Sequence, residues 1–266
     1  MAGSGAHPAR ILLVRWAKGA WDAGFETAPD MDAELRRAIM AFADDGRRVN
    51  LIDRKAEGQG THRLYLFPEG LTILSARADI AAILTRAFAG DLDGWSAVTD
   101  KLILVCTHGQ RDRCCAAKGF ALYRALRDRA TQGPEIWEST HLGGCRFAGG
   151  ALVLPQMHKY GRLTADTARD LVNAAQEGHL LLDHWRGPCD LEPDAQAAAV
   201  VAAPVLGGQV ESVLPVSEGL WRVTGGGADV VSRTEFRATD RPGNCAALDA
   251  GESVAYPGYV AHVVKG

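Results

Sequence analysis

KLILVCTHGQRDRCCAAKGFALYRALRDRA, residues 101–130, opens as a strand and closes as a helix, with three cysteines where one gives way to the other. The run 101–107 is apolar and short, which suits a buried strand, and it carries Cys106 at its end. Residues 115–130 repeat apolar positions at helical spacing, so Cys114 and Cys115 stand at the start of that helix. A second stretch, STHLGGCRFAGG at 139–150, places His141 and Cys145 just after the predicted strand EIWEST (135–140). In open α/β sheets, sites form outside the carboxyl ends of strands. If the two strands are neighbours, both loops open on one edge and their sulfur and imidazole groups converge. A thiolate at a helix N-terminus gains from the helix dipole and free N–H groups. Gly143 and Gly144 let the second loop wrap tightly.

Working outward, ALVLPQM (151–157) reads as a strand and YGRL (160–163) as a short one. Thr164 reads as the N-cap of a helix over TADTARDLVNAAQEG. The first third spells the same order: strands at 11–16, 48–54, 63–68 and 71–76, with helices at 30–46 and 76–90. Both thirds therefore give β-α-β-β-(β)-α, the order of a thioredoxin-like unit. The fold class expected is α/β, with two such units in tandem over 1–95 and 96–192. GPCDLEPD (187–194) reads as a linker. Residues 193–266 then read as a helix and a small antiparallel β module, with GGG at 225–227 as a hairpin turn.

Bulk properties narrow the function. The chain has 266 residues, 47% hydrophobic and 23% charged, enough for a sizeable core. A net charge of -3 gives no basic surface for nucleic acid. No apolar run reaches the length of a membrane span. MAGSGAHPAR has no signal-peptide core, so a cytoplasmic protein is expected; the segment reads partly as an artificial leader and is left out of the fold reasoning. Six cysteines are too sparse for a secreted disulfide scaffold, and in a reducing compartment clustered thiols bind metal or do redox work.

Thiols and imidazole are soft donors that suit zinc or iron–sulfur, not magnesium or calcium. The interval from Cys106 to Cys114 or Cys115 is wider than common zinc spacings, and His-x3-Cys is wider than a C-x2-C knuckle. Wide spacing favours a two-iron object; a structural Cys3His zinc module and a thiol–disulfide oxidoreductase using Cys106, Cys114 and Cys115 stay open. The thiol enzyme lacks a C-x-x-C pair.

The linked motifs C-T-H-G-Q-R-D-R-C-C-A, S-T-H-L-G-G-C-R-F-A-G-G, L-V-L-P and Y-G-R-L resemble the sucrase/ferredoxin-like family, whose members resemble thioredoxin-fold [2Fe–2S] ferredoxins. The resemblance implies an electron carrier serving redox partner proteins; no substrate pocket or nucleophile–base pair is legible in the sequence, so an enzyme is not expected. The resemblance implies Cys106 and Cys115 on one iron and His141 and Cys145 on the other, with Cys114 the alternative to Cys115. Relatives resemble H-x-G-G-H-[RK]-[FY]-A; here Cys145 replaces the second histidine and gives Cys3His. No pair of placed carboxylates supports a sucrase. One histidine for one thiolate raises the potential above an all-cysteine cluster.

The remaining groups have plainer readings. Cys189 and Cys245 lie outside the motif and read as core residues. His108 reads as a loop histidine beside the site or facing solvent, and His158, His179, His184 and His262 as structural. Arg111 and Asp112 read as a brace for the first loop, Arg146 and Lys118 as hydrogen-bond donors or a docking patch. Trp137 reads as core.

Overall fold

A run such as ILLVR, apolar without alternation, must be covered on both sides. In the computed structural model, which describes residues 2–5, 10–24, 26–44, 46–55, 60–110, 112–131 and 133–264, β1 (Ile11–Arg15) is buried throughout. Ile11 and Leu13 enter one apolar cluster, Leu12 and Val14 another on the opposite face. After β1 come α1 (Ala33–Asp44), β2 (Arg48–Asp53), β3 (Thr61–Phe67), β4 (Leu71–Ala76) and α2 (Ile80–Phe88). β1 runs parallel to β2 and antiparallel to β3, with β4 beyond, and the short β5 (Ser96–Ala97) pairs with β4 at the sheet edge.

The pattern then repeats. β6 (Leu102–Cys106), α3 (Arg113–Arg129), β7 (Glu135–Ser139), β8 (Ala151–Leu154), β9 (His158–Tyr160) and α4 (Ala168–Glu177) follow in the same order. The strands lie as β2-β1-β3-β4 in the first half and β7-β6-β8-β9 in the second. The two thioredoxin-like units share one ten-stranded sheet, joined where β2 pairs antiparallel with β7 at Ile52–Ser139 and Asp53–Glu138. Ile11, Leu13, Tyr65 and Phe67 from the first unit share an apolar cluster with Leu102, Leu104, Cys106 and Trp137 from the second. The shared cluster reaches the metal-ligating candidates, so the first unit is part of their foundation.

Three local expectations are corrected. GPCDLEPD is not a linker: β10 (Trp185–Pro188) adds a strand beside β9, and Cys189 is fully buried. Its glycine and prolines looked like a turn, but Trp185 and Cys189 anchor it. The helix after Gly161 opens at Ala168, because the Thr164 N–H turns to the Thr167 hydroxyl (3.0 Å) and Thr164 does not cap it. Of the N-terminal segment, residues 2–5 belong to the fold: the Gly5 N–H donates to Gln196 Oε1 (2.6 Å), and Arg186 donates to the Ser4 carbonyl and hydroxyl.

Alanine-rich α5 (Pro193–Ala202) is buried on most sides, and its small residues let the sheets approach it closely. The C-terminal module follows as β11 (Ser212–Ser217), β12 (Leu220–Gly225), β13 (Ala228–Phe236), β14 (Thr239–Arg241), α6 (Cys245–Asp249), β15 (Val254–Tyr256) and β16 (Tyr259–Val263). β11, β12, β13 and β16 form an antiparallel sheet, and Gly226 and Gly227 make the β12–β13 turn in the left-handed region. No helix among the described residues is long and apolar enough to cross a membrane.

Candidate metal centre

β6 and β7 are parallel neighbours, Cys106 opposite Ser139, so the loops that follow them open on the same edge. Asp112 caps α3 and accepts the Cys114 N–H at 3.0 Å. That cap fixes the phase of the first turn. Successive helical residues point about 100° apart, so the adjacent thiols of Cys114 and Cys115 face different neighbours. Cys115 contacts Cys106 and Cys145; Cys114 contacts Cys245. Arg111, expected to pair with Asp112, lies outside the described residues.

α3 approaches β6 because residue 119 is glycine. A Cβ there would stand 2.0 Å from the Cys106 carbonyl oxygen. Gly143 and Gly144 have φ of 83° and 76°, the left-handed region that favours glycine, and they fold the second loop back toward the sheet. Cys145 Sγ lies 3.4 Å from His141 Nδ1.

The four donors thus close a ring of contacts: Cys106 to Cys115, Cys115 to Cys145, Cys145 to His141, and His141 to Cys106. The ring shares protons unevenly. Contact with Cys115, and then with His141, holds the Cys106 thiol well below the usual range against the opposing effect of burial. Contact with Cys115 likewise brings Cys145 down to about 6, helped by His141. Cys115 is the group pushed up, by donating to Cys106 and Cys145. Burial pulls the His141 imidazole down, but its contacts with Cys106 and Cys145 outweigh this and leave it raised. Cys106 and Cys145 are thus held toward the thiolate that a soft cation takes, while Cys115 and His141 keep protons that binding one would release.

Behind the ring, the carbonyls of three successive residues each accept from a different basic side chain. Arg48 donates to His141 O, Lys159 to Leu142 O, and Arg186 to Gly143 O (3.3 Å). Asn50 Nδ2 also donates to His141 O (3.1 Å), and the Thr140 hydroxyl accepts from the Leu51 N–H (3.0 Å). Arg48, Asn50 and Leu51 belong to β2, so the first unit positions the second unit's loop. Lys159 is 2% exposed and Arg186 1%, and burial this deep disfavours their charged forms. Burial, with Arg186 and Arg48 beside it, pushes the Lys159 amine well below its usual range, and burial brings Arg186 down to about 9, with Cys106 opposing in part on Lys159 and Cys145 on Arg186.

The structure therefore brings Cys106, Cys115, His141 and Cys145 together and turns Cys114 aside. Cys245, read as a core residue outside the motif, is buried as expected but stands at the site's rim: it donates to the Cys145 carbonyl (3.0 Å) and contacts Cys114. His108 does not face solvent; it is buried, with Nε2 against the Asp22 carbonyl. Lys118 is exposed, whereas Arg146 lies between the Phe147 and Tyr256 rings, 4.6 and 4.7 Å from their centres. Sequence reasoning missed Arg48, Asn50, Lys159 and Arg186. A lysine among the apolar strands around 151–160 was the one available signal.

Paired thioredoxin-like units with a thiol and imidazole cluster at the carboxyl ends of parallel strands define an α/β protein with a candidate metal site at its sheet edge. The chain belongs to the sucrase/ferredoxin-like family, whose model matches residues 1–187 and so both units. α5 and the C-terminal strands lie outside that match. A relative is the "Altered inheritance of mitochondria protein 32" of Meyerozyma guilliermondii, 24% identical over 169 residues, or 51% of this chain and 60% of the yeast protein. The chain thus spans less than two thirds of that relative's length. No solved structure matches the chain.

Proposed function

We propose that this chain is a [2Fe–2S] electron-transfer protein in which Cys106 and Cys115 hold one iron and His141 and Cys145 the other. The observation that carries the reading is the closed ring of three thiols and one imidazole, with the paired donors in contact. Family membership supports it. When bound, such a cluster supplies one-electron transfer. The residues do the rest. Gly119 and the Asp112 cap set Cys106 against Cys115, while the left-handed glycines set His141 against Cys145. Arg48 and Arg186 offset the negative charge of the thiolates, and Lys159 holds the loop through the Leu142 carbonyl. His141 also provides a ring nitrogen whose protonation couples electron uptake to pH. Partner proteins supply and accept the electron, and the cytoplasm is the proposed location; a fluorescent fusion distinguishes it from the mitochondria named for the yeast relative.

One observation favours a second reading. Asp112, Cys115 and Cys145 place donor atoms within 4.8 Å of one another, close enough for a single soft ion such as zinc. Single Cys→Ser variants separate the two. On the cluster reading, Cys106→Ser and Cys115→Ser abolish a red-brown chromophore, and Cys114→Ser and Asp112→Asn retain it. A colourless protein that loses zinc on Asp112→Asn supports the single ion instead.

A further inference from the structure

The H-L-G-G-C loop has two sides, and the metal reading uses only one. Gly143 and Gly144 also form part of the wall of a 330 Å³ cavity between this loop, the N-terminal segment and the C-terminal hairpin. Arg48, Arg146, Lys159, Arg241, Tyr256 and Tyr259 line it, and no Asp or Glu is among its described lining residues. Arg186 closes in from behind: a Cβ on Gly144 would stand 2.7 Å from its Nη2.

We propose that this cavity binds a small phosphate-bearing molecule, its phosphate held by Arg48, Arg146 and Arg241. Placing Arg48, Arg146 and Arg241 around one cavity, with Arg186 behind its wall, costs free energy through mutual repulsion, and for Arg186 through desolvation as well. A dianion in the cavity lowers that repulsion. Guanidinium forks match phosphate oxygens in pairs, which favours phosphate over a halide or a lone carboxylate. The volume exceeds what a bare phosphate fills and lies at the lower end for small-molecule sites. The two tyrosine rings give the remaining space an aromatic wall for the rest of the molecule. Arg241, Tyr256 and Tyr259 come from the C-terminal module, so the ligand ties that module to the loop. The inference holds whether or not the metal reading does, because none of these groups is a proposed ligand.

Titration calorimetry on the full chain as purified, with inorganic phosphate and pyrophosphate in 150 mM sodium chloride, tests it. Saturable binding is expected, tighter for pyrophosphate, with a matching rise in melting temperature. Arg241→Gln is expected to weaken binding about tenfold or more, and Arg241→Lys less, because the charge stays and the fork is lost. Exposed Arg233, on β13, serves as control, and Arg233→Gln is expected to bind like the parent. If Arg241→Gln does not fold, Arg241→Lys alone decides by the same comparison. Absence of saturable binding, or equal weakening by Arg233→Gln, overturns the proposal.

Discussion

Gly119 faces the Cys106 carbonyl so closely that a Cβ on residue 119 would stand 2.0 Å from the oxygen. The contact presses α3 onto the end of β6 and sets the distance between Cys106 and Cys115. Alanine inside a helix ordinarily stabilises by about 0.5–1 kcal/mol relative to glycine. Here the sign reverses. Gly119→Ala is expected to destabilise by about 1–3 kcal/mol through overpacking and to lower metal content, measured by denaturant melts and metal analysis. A stabilised variant with full metal content contradicts this role.

Cys145 Sγ and His141 Nδ1 lie 3.4 Å apart and form the proposed second pair. His141→Cys replaces a neutral ligand by a thiolate and adds one negative charge to the site. The reduction potential is expected to fall by on the order of 100 mV and to lose its pH dependence. Optical redox titration from pH 6 to 9 checks both. A variant that keeps the parent's pH slope removes His141 from the ligand set.

Arg186 holds the Gly143 and Ser4 carbonyls from a nearly inaccessible position. Arg186→Met deletes a buried charge behind the loop and leaves acceptors unpaired. Stability is expected to drop by about 1–3 kcal/mol, and the potential to shift downward, since less positive charge opposes the thiolates. An unchanged potential with an intact metal site denies the clamp its electrostatic role.

Burial holds the His158 imidazole down to about 4, from an ordinary 6.5. The unfolded chain takes up this proton first as pH falls, so His158 leaves stability intact above about pH 6.5 and erodes it between 6.5 and about 4. The full loss is on the order of 3 kcal/mol. Chemical denaturation at pH 7.5 and 4.5 on His158→Phe is expected to show a smaller pH difference than the parent. An identical pH difference shows that the ring titrates normally.

Much of this architecture is legible in the sequence because its signals are local. ILLVR and LILVC are apolar without alternation, and both are strands buried on two faces. The two cysteine-bearing loops follow LILVC and EIWES, so their meeting followed from placing those strands side by side. What escaped depends on residues far apart in the chain. Arg48 reaches His141 across 93 positions and Cys245 reaches Cys145 across 100, and no spacing rule connects them. Choosing between Cys114 and Cys115 needed the helix phase, which the Asp112 cap sets. The linker reading of 187–194 failed because glycine and proline also occur in edge strands, where free N–H groups are fewer to lose.

Iron and acid-labile sulfide analysis of the purified chain, with an electron paramagnetic resonance spectrum after dithionite reduction, tests the central claim most directly. Two irons and two sulfides per chain and one spin-half signal are expected. Zinc without sulfide, or a metal-free protein with all six thiols free, contradicts it.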